Sequence, residues 1–321
     1  MVTIKKIRQK NGFTLIELSI VIAILGLVVG GVFIGKDLLY AAKMRAQMTQ
    51  LQEIFMNTKI FRTKYKYWPG DVPSDLASKY GFIPRSPYMY ATGNGQIDGY
   101  WGTGATTGFS QSGEPMLFWA DLGSADLMTP LPMVTAERVG NTYLTVDTGT
   151  NSYTLADILP KAASGGNGFI YVWSGGYSLR WNNLEHNGKS YLGIAGITSI
   201  GGGTDTPVTN MSMTPFTAYS IDSKMDDGLP QAGKVTTIYV DGSIHGGEPM
   251  IAWAHANRVD GGSTCMQWWC FGNLSNSPNQ SAVPADEFSC YDNNNVAGET
   301  HYSTATNSSN LNCALSIELQ E

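Results

Sequence analysis

The first strong pattern along the chain is an uninterrupted apolar run. From Phe13 to Gly35 the only charged residue is Glu17, and about 23 residues is the length a membrane-spanning helix requires. The pattern then changes without breaking. Residues 36 to 66 contain no proline, and Met44, Met48, Leu51 and Phe55 form one stripe while Lys43, Arg45, Glu53, Lys59 and Arg62 occupy other positions. This spacing predicts an amphipathic extension of the same helix, its stripe docked on the rest of the chain. Trp68-Pro69-Gly70 ends it. A continuous helix over 13–66 would be about 80 Å long at 1.5 Å per residue.

After the stalk the signals are short and alternating. A helix is expected over about 115–127, opened by Pro115 and carrying Leu117, Trp119 and Leu122, and another over about 215–226, opened by Thr214-Pro215 and closed by Gly228 and Pro230. Strands are expected at Tyr143 to Val146, Phe169 to Trp173, Tyr177 to Trp181, Tyr191 to Thr198, Lys234 to Val240 and Cys313 to Leu319, bounded by Gly, Asn and Asp. The fold class is therefore α+β: a long membrane-spanning helical stalk docked on a globular head with an antiparallel sheet and short helices. One internal echo stands out. Gly113-Glu114-Pro115-Met116 with Trp119-Ala120 recurs as Gly247-Glu248-Pro249-Met250 with Trp253-Ala254, and both copies read as helix starts with a carboxylate near the positive end of the dipole, the alternative being a duplicated ligand-binding element, which the lack of a longer repeat around either copy disfavours.

Charge divides the chain as the hydropathy does. Residues 1 to 12 carry Lys5, Lys6, Arg8 and Lys10 and no acid, residues 36 to 66 carry seven bases against Asp37 and Glu53, and from 67 onward 9 Lys/Arg face 23 Asp/Glu, a net of -14. A head of that sign repels phosphate backbones, so no direct nucleic-acid binding by the head is expected. Basic residues ahead of the apolar run place residues 1 to 10 in the cytoplasm and the bulk of the chain outside. The run is not a secretory signal peptide, because no small-residue cleavage site follows it. Four cysteines, Cys265, Cys270, Cys290 and Cys313, cluster in the last fifth of the chain. Their even number and long gaps favour disulfides in an oxidising compartment over a zinc site, which wants short paired spacings. Three pairings are possible; Cys290 with Cys313 would tie the last strand to the preceding loop, and Cys265 with Cys270 would close a small one.

The residues carrying most chemistry stand at the head of the apolar run. Lys10-Asn11-Gly12-Phe13-Thr14-Leu15-Ile16-Glu17-Leu18 resembles the class III leader junction of type IV prepilins and type II secretion pseudopilins: a short basic leader, glycine before the cut, phenylalanine after it and glutamate five residues into the mature chain. The resemblance covers about 55 residues, leader and stalk. It implies processing at Gly12 and Phe13 by a prepilin peptidase that also methylates the new amine, and assembly through Glu17 with other pilin or pseudopilin subunits at an inner-membrane platform. The precursor would lie in membrane lipid as a single-pass inner-membrane protein with a periplasmic head, then enter a cell-surface or periplasmic filament. The implied organisation is 1–12 leader, 13–35 transmembrane, 36–66 amphipathic extension and 67–321 head. A head of about 250 residues is bulky for a major pilin and points to a minor or specialised subunit, the alternatives being a secretion pseudopilin or a pilus-displayed adhesin. Many pilins place a proline within the apolar helix; this chain has only Gly26, Gly30, Gly31 and Gly35 there, which allow local melting or close helix packing. Segments resembling Tyr67-Trp68-Pro69-Gly70-Asp71 and Ile221-Asp222-Ser223-Lys224-Met225-Asp226-Asp227-Gly228 also occur in large pilin-like proteins.

Other constellations fail their own tests. An EF-hand register through Asn94-Gly95-Gln96-Ile97-Asp98 puts Tyr90 at position one and Trp101 at position twelve, so its strongest ligands are missing. Asp222, Asp226 and Asp227 can be drawn around a cation, but are expected to be a solvated helix end. His186, His245, His255 and His301 are scattered, and neither a nucleophile elbow nor a P-loop is present. The expectation is a non-enzymatic subunit with no cofactor and no metal.

Overall fold

The structure, a computed structural model, describes residues 14–85, 93–97, 114–131, 154–166, 168–174, 176–177, 189–200, 207–210, 212–230, 232–237, 241–242, 244–245, 248–249, 290–292, 301–304, 311 and 313–319. Its dominant element is α1, Leu15–Tyr65, one unbroken helix of 51 residues, within two residues of the expected bounds at either end. Thr14 caps its start, and Lys66 ends it in the left-handed conformation at φ 69°, donating its amide to the Arg62 carbonyl. No proline interrupts the ladder between them.

The second half of α1 buries Met44, Gln47, Leu51, Ile54, Thr58, Phe61 and Tyr65. These alternate at spacings of three and four, a period of about 3.5 residues, so the buried line winds slowly around the helix, by about 20° per heptad. The expected stripe is right at Met44 and Leu51, whereas Met48 and Phe55 flank the line and are only partly buried. Polar Gln47 and Thr58 sit on it and hide its true register from a reading of apolar residues alone. Both are satisfied. Thr58 Oγ1 donates to the Ile54 carbonyl, Gln47 Oε1 accepts the Ser164 amide, and Gln50 accepts the Ala163 amide while donating to the Lys161 carbonyl. At the far end Phe61, Tyr65 and Phe82 stack with ring centroids 4.5 to 5.4 Å apart, and the Arg62 guanidinium lies 3.8 Å above the Trp68 ring.

Three shorter helices pack beside it: α2 (Ser74–Tyr80), α3 (Glu114–Ser124) and α4 (Pro215–Met225). α2 follows Pro73 and stops at Gly81, φ 77°, and was not expected from the sequence. With Ala77 its only buried residue, it has no apolar period to reveal it. α3 is buried on every face from Glu114 to Gly123 and ends three residues short of expectation, because the Leu127 and Met128 amides both turn back to the Leu122 carbonyl. α4 matches its expected range within a residue, with Thr214 accepting the Thr217 amide at its cap.

The main sheet is antiparallel. Its strands are β1 (Gly168–Ser174), β2 (Ser190–Ile200), β3 (Pro207–Asn210), β4 (Val235–Thr236) and β5 (Leu315–Glu318), in the order β1-β2-β5-β4 with β3 on the outer part of β2. Ile170 and Leu315 both face Ile194 across β2, and Val172 and Ile317 both face Leu192, so these six buried side chains share one face of the sheet. Tyr171 lies opposite Gly193, and its ring occupies the space a Cβ there would need, 2.0 Å from the nearest ring atom. Only glycine fits under that ring.

Strands β1, β2 and β5 confirm expectation, while Lys234 to Val240 contributes only Val235–Thr236 among the described residues. Tyr177 to Trp181 is described only at Gly176–Tyr177, paired with Asp241–Gly242, and Tyr143 to Val146 lies outside the described residues. The second Gly-Glu-Pro-Met copy is a correction. Glu248–Pro249 is not a helix start but a strand end, paired antiparallel with Ile244–His245. Gly246-Gly247 separates those two segments in sequence, the composition a two-residue hairpin favours, and that outweighs the proline. Tyr291–Asp292 and His301–Tyr302 make another short ladder, and a disulfide joins Cys290 to Cys313 as expected, fastening it beside β5. Cys265 and Cys270 lie outside the described residues.

Candidate assembly segment and the locks of the head

Gly12 and Phe13 lie outside the described residues, and the description begins one residue later, at Thr14. The backbone amide and hydroxyl of Thr14 both donate to Glu17 Oε2 at 2.8 Å, and the Glu17 amide returns a bond to Thr14 Oγ1 at 3.3 Å. This is a capping box. Within a single chain, then, the one acid of the apolar run is held by the residue that starts the helix. Thr followed three residues later by Glu is the local sequence signal of such a box.

From Leu15 to Ile34 fourteen large apolar side chains are exposed, between 51% and 87%. Leaving that many in water costs on the order of 20 kcal/mol at roughly 1.5 kcal/mol each. Among the described residues α1 is the helix long and apolar enough to cross a membrane, and its most apolar stretch touches nothing. Gly26, Gly30, Gly31 and Gly35 have no atom within 4 Å of a built Cβ. These gaps in the side-chain cover would let another helix approach closely.

The head is closed by buried polar locks. Asp121, fully buried in α3, accepts Arg85 Nη1 at 3.1 Å and Nη2 at 2.5 Å and the Gly70 amide at 2.7 Å. Arg85 also donates from Nε to the Val72 carbonyl and from Nη1 to that of Ile83. Gly70 sits at φ 90° with the Glu114 carbonyl 2.4 Å from where a Cβ would be, which explains its place after Trp68-Pro69. Asp71 accepts the amides of Gly93, Asn94 and Gly95. The glycine of the rejected calcium register is therefore bound by a carboxylate of this chain.

The acidic end of α4 requires a second correction, since Asp222 is not solvated but completely buried. Its carboxylate accepts the Tyr302 hydroxyl at 2.7 Å and the Gly228 amide at 3.1 Å. Burial pushes its pKa up to about 7, against the pull of those two donors, with Asp227 and Asp226 adding repulsion. Asp226 accepts the Lys234 and Val235 amides and Asp227 that of Leu229. Oxygens of the three acids lie within 4.8 Å of one another and could hold a cation, but all three residues already cap backbone amides. Of the histidines, only His245 and His301 fall among the described residues, each in a two-residue strand.

A family model described as the prokaryotic N-terminal methylation motif matches residues 7–33. No curated protein and no solved structure matches the chain. The chain thus carries the class III leader of type IV pilins and pseudopilins, ahead of a bare apolar helix suited to anchoring a single-pass precursor.

Proposed function

We propose that this chain is a pilin-like filament subunit of a minor or specialised kind, cut between Gly12 and Phe13, methylated at the new amine and assembled through α1. The observation that carries the proposal is the exposed face from Leu15 to Ile34, which lies almost wholly within the residues matched by the methylation motif. A helix that cannot stay in water needs lipid before assembly and other helices after it. The precursor spans the inner membrane with residues 1–12 in the cytoplasm and the head, 67–321, in the periplasm. Intact mass of membrane-extracted protein tests the processing step: residues 1–12 should be absent and Phe13 should carry a methyl group. Mature protein that retains Lys10 overturns the reading.

In assembly Glu17 exchanges partners. Inside one chain it caps Thr14; in the filament the amine of an incoming subunit's Phe13 meets Glu17 of its neighbour, so that both partners of the bond are charged where only the carboxylate was before. Burying that cation among apolar helices without a carboxylate is unfavourable. Two substitutions separate the roles. Glutamine also closes a capping box, so Glu17→Gln preserves the cap and removes the charge. Both Glu17→Ala and Glu17→Gln should be inserted and processed normally yet enter sheared filaments poorly. Normal incorporation of the glutamine variant would reduce Glu17 to a helix cap.

A further inference from the structure

The membrane-proximal end of the head meets α1 at Tyr40. The Tyr40 and Phe216 rings lie 5.7 Å apart between centroids, and the Tyr40 hydroxyl is 3.4 Å from Thr217 Oγ1. α4 turns Pro215, Thr217, Ala218 and Ile221 inward, while Phe216 remains 46% exposed on the outer face. On α1 just before this contact, Leu38 and Leu39 are exposed by 66% and 65%. The surface is therefore continuous: bare apolar span, two leucines, then a pair of aromatic rings of which one belongs to the head.

The rise of α1 sets the level of this patch. Tyr40 lies five residues beyond Gly35, about 7.5 Å at 1.5 Å per residue. That distance carries it out of the hydrocarbon and into the headgroup layer, where aromatic rings with one polar edge are favoured. Lys36, Lys43 and Arg45 against Asp37 give the collar a net positive charge suited to anionic headgroups.

Given the membrane anchorage proposed above, we infer that Phe216, with Tyr40, Leu38 and Leu39, is a lipid seat: it rests the membrane-proximal end of the head in the interface of a phospholipid bilayer. The head is then held at a fixed depth while the subunit waits in the membrane. On entering a filament it must give up this contact together with the lipid around α1.

The test is photo-cross-linking of the full chain in vesicles of phosphatidylcholine and phosphatidylglycerol, with p-benzoylphenylalanine placed singly at positions 25, 39, 216 or 60. Ile60 is the matched control, because it is 43% exposed on the same helix, about 30 Å further from the span. Lipid adducts are expected at 25, 39 and 216, with a yield at 216 at least fivefold that at 60. Retention of the Cys290–Cys313 bond reports that the head of each variant is folded. A lipid yield at 216 no higher than at 60, or a cross-link from 216 to a second copy of the chain, overturns the seat. Failure at 25 as well would instead remove the membrane anchorage itself.

Discussion

Replacing Arg85 by methionine tests how the head is locked to the end of the stalk. The guanidinium is almost completely buried, makes two bonds to a fully buried carboxylate and two more to backbone carbonyls. Arg85→Met fills much of the same volume but leaves the buried Asp121 carboxyl, whose pKa burial already raises, with the Gly70 amide in place of its cation. Breaking a buried pair by removing one partner costs about 3 to 5 kcal/mol, and the orphaned Val72 carbonyl adds about 1 kcal/mol or more. Asp121→Leu should cost a similar amount, because it strands a buried cation. The double variant removes both charges and leaves the Gly70 amide and the Val72 and Ile83 carbonyls without these partners, so its loss should fall short of the summed single losses by on the order of 3 kcal/mol. Urea unfolding of the detergent-solubilised full chain, followed by tryptophan fluorescence, reads all three, since Trp68 and Trp119 are both buried. A loss below about 1 kcal/mol for Arg85→Met, or single effects that add within about 0.5 kcal/mol, would refute the lock.

Two further outcomes follow from other contacts. Opening the Cys290–Cys313 bond by replacing both cysteines with serine releases a loop of sequence separation 23 and should lower stability by roughly 3.4 kcal/mol by the loop-closure estimate; unchanged unfolding would show that β5 holds without it. For Asp222 the sign is set by its raised pKa: the folded protein holds a proton that the unfolded chain, with a reference value of 3.8, releases. The contribution is full below about pH 4 and is lost as pH rises through about 7. Between pH 5 and pH 8 the wild type should therefore lose about 2 to 3 kcal/mol more than Asp222→Asn, and parallel pH profiles in thermal unfolding would contradict the buried carboxylate.

What the sequence made legible was local. The stalk follows from an apolar period and an absence of proline, and α3, α4 and the three long strands follow from short patterns bounded by Gly, Pro and Asn. What escaped was held by distance. Arg85 meets Asp121 across 36 positions and Tyr302 meets Asp222 across 80, and no periodicity joins such pairs. Asp222 looked like one of three surface acids at a helix end, because nothing nearby in sequence announces the tyrosine that buries it. Thr14 is the opposite case, since Thr followed three residues later by Glu is a purely local signal for the cap.

These two kinds of information divide along α1. Its first half is encoded by composition alone, and its large apolar side chains from Leu15 to Ile34 are exposed among the described residues, so their surroundings can change from lipid to neighbouring helices without unfolding the head. Its second half is bound to the head by a line in which Gln47 and Thr58 interrupt the apolar residues, with Gln47 and Gln50 gripping the backbone of residues 161 to 164. Polar groups with fixed partners cannot slide along the helix as an all-apolar stripe could, because a shift of one position would leave buried donors and acceptors unmet at about 1 to 3 kcal/mol each. In the assembly proposed above, a displacement of the free half would carry the head with it as one body. Gln47→Leu tests this division: it should retain the helix and the apolar contact but leave the Ser164 amide without its acceptor, lowering head stability by about 1 to 3 kcal/mol with no effect on membrane insertion. Loss of insertion, or a head as stable as wild type in urea, would show that the two halves of α1 are not separable in this way.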